Sequence, residues 1–296
     1  MPFGLFRTKT ICQNSGEDAD IIFLLFGPQK CETRTKMTWE AFAGNSSIND
    51  SIYDCLQHLE EADVLRIKRK LRTQSAADNK QEFFHTFREL ILGSYLARKG
   101  FRVRAYQKYD GKDPDWSVLG DQGELTALIE ITNFHADKKT ESKIDAALAE
   151  KKWVWQDVKA VDASLRFHKA IWNKCGKYND LAKSLNVAYV IGCFCNFNNP
   201  VEKSTVLENL HSPDSGLFRG GNGQGYPDVS GLVVYQEETL WVPPESVANA
   251  YVFDYFPNPH AVRQFAIPSG NYYPPMSINN TQHYQLLVRF FSEQID

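Results

Sequence analysis

An ionisable side chain set in the middle of an aliphatic strand constrains this chain more than any other feature. The run Ala127-Leu128-Ile129-Glu130-Ile131-Thr132 has the character of a buried strand, yet it carries a glutamate between two isoleucines. A carboxylate in such surroundings is costly unless a cation, a metal or a set of hydrogen-bond donors meets it. Just upstream, Pro114-Asp115 opens a second strand, Trp116-Ser117-Val118-Leu119, and Gly120-Asp121-Gln122-Gly123 turns the chain between the two. Strands paired through that turn bring Asp115 and Glu130 to the same edge of a sheet. Converging carboxylates repel, which favours a shared proton or a divalent cation, and oxygen-rich ligation of this kind suits Mg²⁺ or Mn²⁺. The pair also has a plainer reading, with Asp115 capping the Asp113-Pro114 turn and Glu130 facing solvent from a half-exposed strand.

The flanking pattern predicts what holds these strands. Phe83, Phe84, Phe87, Leu90, Ile91 and Leu96 recur at helical spacing from about Asn79 to Arg98, and Lys99-Gly100 supplies a cationic last turn and a left-handed exit. Phe101 to Tyr106 alternates with period two, so the helix feeds a three-stranded antiparallel meander ending at Leu125–Thr132. Helical spacing returns over Lys143–Trp155 and Ala160–Leu185, broken near Cys175-Gly176, and Val187–Cys195 reads as a largely buried strand. Residues 201–230 read as the least regular stretch, with the glycine-rich Gly216–Gly225 as a surface loop. Further strands are expected at Gly231–Tyr235 and Tyr251–Phe256, after Ile21–Phe26 near the start, and Tyr284–Phe291 is apolar enough to dock. Met37–Leu71 is helical in pattern. Its run Leu65–Arg72 holds five basic residues in eight, a solvated helix face or a phosphate-contacting patch.

Composition bounds the function. The 296 residues carry 33 Lys plus Arg against 36 Asp plus Glu, a net charge of −3, so no overall basic field marks a nucleic-acid scaffold, although a local basic groove is compatible with it. The apolar run at Ile21–Phe26 is too short to cross a bilayer and follows acidic residues, so neither a membrane span nor a secretory signal is expected and a cytoplasmic or nuclear location follows. Six cysteines without framework spacing need no disulfides, and Cys193 with Cys195 reads as buried packing. There is no Gly-x-Ser-x-Gly elbow, no His-Glu-x-x-His zinc motif and no nucleotide-binding loop.

A third acid, Glu89, lies on the helix that feeds the meander, with Glu82 two turns before it and His85 four positions before it on the same face. Taken alone it reads as a surface residue. In order along the chain, helix acid Glu89, Pro114-Asp115, Glu130-Ile131-Thr132, the helix–strand segment Lys174–Val190 and Tyr255–Ala261 (YFPNPHA) resemble the PD-(D/E)xK, or restriction-endonuclease-like, nuclease superfamily. The resemblance covers about residues 79–200, with a looser echo to 262.

It implies an α/β core, a central mixed sheet flanked by helices, over 79–262, with an N-terminal extension (1–78) and a C-terminal extension (263–296) packed on the core. It also implies a metal-dependent endonuclease acting on DNA or RNA. Glu89, Asp115, Glu130 and the backbone carbonyl of Ile131 would ligate Mg²⁺ or Mn²⁺, and double-strand cutting would favour a homodimer. Thr132 stands where the family has a lysine, and its hydroxyl orients a water but brings no charge. Lys138, Lys139, Lys143, Lys174 and Lys177 are candidates for a migrated cation, Lys174 and Lys177 being best placed, while Arg102, Arg104 and Lys108 are candidates for backbone phosphates. A degenerate member that binds nucleic acid, or serves in an assembly, without cutting is the alternative.

Overall fold

The computed structural model describes residues 52, 54–77, 80–134, 160–195, 201–218, 225–242 and 246–272. The expected elements at Ile21–Phe26, Lys143–Trp155 and Tyr284–Phe291, the lysines Lys138, Lys139 and Lys143, and most of the glycine-rich stretch lie outside them. The chain divides into two compact units, Met1–Ser94 with Pro274–Asp296, and Tyr95–Tyr273.

The described part of the first unit is helical. Helix α1 (Glu61–Ala76) buries Ile67 and Leu71, one turn apart, and α2 (Lys80–Arg98) buries Phe83, Phe87, Leu90 and Ile91 before it runs into the second unit at Tyr95. The basic run lies on a helix and pairs with acids of the same unit. Arg66 bonds the buried Asp63 at 2.8 Å, and Lys70 bonds Glu89 at 2.8 Å.

The second unit is built on one mixed sheet in which sequence order and spatial order coincide: β1 (Arg102–Ala105), β2 (Trp116–Leu119), β3 (Leu125–Phe134), β4 (Ala188–Cys195), β5 (Val229–Val242), β6 (Ser246–Pro257) and β7 (Gly270–Tyr272). β1, β2 and β3 form the expected antiparallel meander. The helix exit behaves as its residues dictate, because Gly100 takes φ 89° while Phe101 N–H reaches back to the Leu96 carbonyl. The β2–β3 turn likewise needs Gly123 at φ 85°, closed by its N–H on the Gly120 carbonyl.

β3, β4 and β5 run parallel, and parallel strands require crossovers. The described part of the first crossover is α3 (Ala160–Cys175) and α4 (Asn179–Leu185), separated at Gly176 where the break was expected. Every residue of β4 is buried, as a central parallel strand covered on both faces must be. Phe167, Ile171 and Cys175 of α3 cover one face of the sheet, over Leu128, Tyr189 and Cys193. Tyr95, at the end of α2, stacks on Phe253 of β6 on the other face, with ring centroids 3.8 Å apart.

Two expectations need correction. Residues 201–230 are not uniformly irregular, since α5 (Lys203–His211) occupies part of them. Its apolar signal is thin, because only Val206 and Leu210 bury a hydrophobic side chain. Asn209 completes the buried face by bonding Ser164 of α3 at 2.9 Å. β5 and β6 are also longer than their apolar cores. They pair from Gly231 opposite Pro257 to Val242 opposite Ser246, through a stretch whose polar residues disguise the strand.

The Asn-Pro-x-Ala segment acts as a clamp at the start of β5. Asn258 is fully buried and donates to the Val229 carbonyl at 2.8 Å, while Arg263 bonds Asn186 and, at 3.5 Å, Asp228. The cysteines described, Cys55, Cys175, Cys193 and Cys195, are buried free thiols, so Cys193 and Cys195 are packing residues. Among the described residues no helix is long and apolar enough to cross a membrane.

Candidate active site

The β2–β3 register pairs Trp116 with Ile129 and Ser117 with Leu128. Because side chains alternate across a strand, Asp115 and Glu130, the next pair along, belong to the face shared by Ser117 and Leu128. That face lies beneath α3. Asp115 is 9% exposed and Glu130 2% exposed, which rules out the solvent-facing reading of the glutamate. Asp115 does not serve as a turn cap alone: its Oδ2 accepts the backbone N–H of Ile131 at 2.7 Å, so it sits against the peptide joining Glu130 to Ile131.

Two cations meet the buried glutamate. Lys174 in the last turn of α3 and Lys177 in the turn after it each donate from Nζ to Glu130 Oε1 at 2.6 Å. Both are among the five lysines that the sequence offers as candidate cations for this site. Burial pulls the Lys177 ammonium down, but the hydrogen bond and charge of Glu130 outweigh it, with Asp115 adding to the same effect, and its pKa rises above the usual 10.5. The second oxygen of Glu130, Oε2, is buried and has no hydrogen-bond partner among the described residues. Thr132 follows on the same face and is part-buried.

The lysine-bearing turn is held by groups the sequence did not single out. Tyr189 of β4 donates its hydroxyl to the Lys174 carbonyl at 2.7 Å. Tyr178 donates to the Asp113 carbonyl at 3.0 Å, tying the lysine turn to the residues just before Asp115. Lys112 Nζ reaches the Lys177 carbonyl at 3.2 Å. The Tyr178 ring also lies beneath the Lys177 ammonium, 5.0 Å from its centroid. Burial, helped by the charge of Glu130, raises the Tyr178 hydroxyl to about 12, so it remains a protonated donor at neutral pH. Their signal was faint: aromatic residues beside the lysines and in β4 look like core until their hydroxyls are traced.

Glu89 belongs to the first unit, and it is buried rather than on the surface. His85 Nε2 approaches one carboxylate oxygen at 3.1 Å and Lys70 Nζ the other at 2.8 Å. Burial raises its pKa, but the His85 hydrogen bond and the Lys70 and His85 charges prevail and hold it at about 2. Lys70, on the preceding helix, is the partner the sequence reading missed. Glu82 is exposed on the first turn of the same helix. Arg102 and Arg104 alternate with buried Val103 and Ala105 on β1, and the register sets Arg104 beside Ser117 on the Asp115 face; Lys108 is exposed in the loop that follows.

A divalent ion can be tested against these donors. Among the described residues no group of three or more His, Cys, Asp or Glu side chains is gathered closely enough to hold a metal. Mg²⁺, however, is commonly held by one or two carboxylates, with waters and substrate phosphate completing its shell. The unpartnered Oε2 of Glu130 beside Asp115 fits that smaller requirement. No protein-family model, no curated protein and no solved structure matches the chain. The fold and site define a mixed α/β protein, its central sheet flanked by helices, with an acid pair and two lysines on the helix-covered face.

Proposed function

We propose that this chain is a divalent-metal-dependent endonuclease that hydrolyses phosphodiester bonds of DNA or RNA. It would be a divergent member of the PD-(D/E)xK superfamily in which Lys174 and Lys177 replace the lysine lost at Thr132. The observation carrying this reading is the convergence of both ammonium groups on Glu130 beside Asp115, while Oε2 stays open. Helix, three-stranded meander, crossover helix and parallel strand, in that order, support it.

Asp115, Glu130 and the Ile131 carbonyl would hold Mg²⁺ or Mn²⁺, which when bound acidifies a water and offsets charge on the phosphoryl oxygens. The chain's own contribution is electrostatic. Lys177, kept protonated by Glu130, places a fixed positive charge where negative charge develops on the phosphate. Thr132 offers a hydroxyl to orient the attacking water, and Arg102, Arg104 and Lys108 offer cations for flanking phosphates. Glu89, engaged by Lys70 and His85 in the other unit, is not needed.

The test is single-turnover cleavage of labelled single- and double-stranded DNA and RNA, with binding followed in parallel. Cleavage should require Mg²⁺ or Mn²⁺ and vanish in Asp115→Asn and Glu130→Gln, with binding retained. Metal-dependent cleavage surviving both substitutions would refute the site.

The double lysine contact also favours a second reading. Two cations on one carboxylate oxygen form a closed structural ion cluster, as in a protein of this fold that binds or assembles without cutting. No cleavage of any substrate, together with no calorimetric Mn²⁺ binding, would select it.

A further inference from the structure

We infer that Lys112 grips the substrate phosphate next to the scissile one, so that the site takes an oligonucleotide reaching past the cleaved bond and holds that part without regard to sequence; this rests on the nuclease reading above. Lys112 lies in the connection between β1 and β2, which its residues build as a fixed excursion. The Tyr106 N–H bonds the Asp115 carbonyl at 3.1 Å and closes the neck. At the tip, Tyr109 and Lys112 exchange backbone hydrogen bonds of 2.8 and 2.9 Å around Asp110-Gly111. Those two residues take φ 47° and 78°, the paired positive values of a type I′ turn, for which Asp-Gly is a favoured sequence. The backbone of Lys112 is therefore held from its own side of the loop.

Its side chain is tied to the lysine-bearing turn. Lys112 Nζ donates to the Lys177 carbonyl at 3.2 Å, and the carbonyl of the next residue, Asp113, accepts the Tyr178 hydroxyl at 3.0 Å. The Lys112 and Lys177 ammonium groups lie 5.8 and 5.0 Å from the centroid of the same Tyr178 ring. Their charges are met differently. Lys177 donates to the Glu130 carboxylate, whereas Lys112 is exposed, has a neutral carbonyl and a neutral ring as partners, and makes no ion pair among the described residues. An ammonium carries three donors, so two remain for an anion. One tyrosine away from the cation assigned to the reacting phosphate, that anion is the neighbouring phosphate of the same strand. Asp110 and Asp113 balance Lys108 and Lys112 within the loop, so it is no general basic patch, and Lys112 accounts for one contact rather than several.

The experiment measures binding of fluorescently labelled single strands and duplexes of unrelated sequence to the full chain in EDTA, over a range of salt concentrations. Lys112→Gln should weaken binding by up to about 5-fold, as for one exposed charge pair, and equally for every sequence. The slope of log K against log salt should become shallower by about 0.7 for single strands or about 0.9 for duplexes, the amount expected for one phosphate. Lys112→Arg, which keeps the charge, should stay near wild type. A lysine that only braces the Lys177 turn leaves the slope unchanged, and that result, or a loss that varies with sequence, would overturn the contact. In single-turnover cleavage, one uncharged methylphosphonate linkage adjacent to the cut should slow wild type at that bond and add nothing to the defect of Lys112→Gln. Additive losses would place the contact elsewhere and overturn it. Asp115-dependent cleavage with an unchanged slope in Lys112→Gln sinks the contact and leaves the nuclease. A Lys112-dependent slope without cleavage does the reverse, and no binding of any strand sinks both.

Discussion

Ile131 gives its backbone N–H to the side chain of Asp115, across 2.7 Å in a buried setting. The acid thereby supports the peptide that carries Glu130, and its electrostatic and structural roles are separable by substitution.

Asp115→Asn keeps an acceptor for that N–H and should stay within about 1 kcal/mol of wild-type stability, the worth of one hydrogen bond. Asp115→Ala strands a buried donor and should cost about 1–3 kcal/mol. Urea unfolding of both variants reads the difference. Cleavage should be lost equally in the two, because neither supplies a negative charge.

Lys174→Ala or Lys177→Ala should each reduce single-turnover cleavage by roughly 10²-fold, as expected for losing one contact to developing charge. The double variant Lys174→Met with Lys177→Met leaves Glu130 buried without a cation and should destabilise the fold by about 3 kcal/mol, toward the lower end for breaking a buried pair because both lysines are partly exposed. Adding Glu130→Gln should recover part of that loss. No recovery in denaturant melts would mean that the ion cluster is not the source of the defect. The raised pKa of Lys177 fixes the pH window: its contribution is complete below about 10.5 and disappears as pH rises through the higher folded value.

Tyr189→Phe removes the bond that fixes the Lys174 carbonyl while leaving the ring in the core. The expected cost is about 1 kcal/mol in stability, accompanied by a fall in kcat with KM nearly unchanged. A fall in stability with kcat intact would make Tyr189 a core residue only.

Acid titration tests the first unit. Glu89 falls from 4.5 in the unfolded chain to about 2 when folded, so its contribution is present above about pH 4.5 and is lost as pH drops toward 2. That difference corresponds to on the order of 3 kcal/mol. Glu89→Gln should flatten the acid limb of the stability profile between those values. An unchanged limb, followed by circular dichroism, would show that the pairing with His85 and Lys70 does not persist in solution.

The elements legible in the sequence are those whose pattern is long or punctuated. The α2 helix announces itself by aromatic spacing and by Lys99-Gly100, the meander by alternation and Gly123, and the crossover break by Cys175-Gly176. Glu130 was readable as a buried charge in need of a partner because its aliphatic neighbours leave few other solutions. Lys174 and Lys177 were readable as the best placed of five lysines, because their helix packs beside the sheet, but spacing does not say that both will cross 44 or 47 residues of chain to meet one carboxylate oxygen. The burial of Glu89 was not legible, because it depends on Lys70, 19 positions earlier on another helix. α5 was missed because a polar residue, Asn209, completes its buried face.

The order in which the sheet closes follows from its parallel centre. β1, β2 and β3 are consecutive antiparallel strands joined by ten and five residues, and hairpins between such neighbours form on the microsecond scale. β4 docks on β3 only after the chain between Phe134 and Ala188 has been gathered in, and closing a loop of that length costs about 3 kcal/mol in chain entropy before any contact offsets it. The two acids are therefore laid down early and their lysines arrive late. Until the crossover docks, Glu130 has no cation and must stay hydrated. Hydrogen exchange during refolding should protect β2 and β3 before β4, and the ion cluster forms on the schedule of the slowest strand.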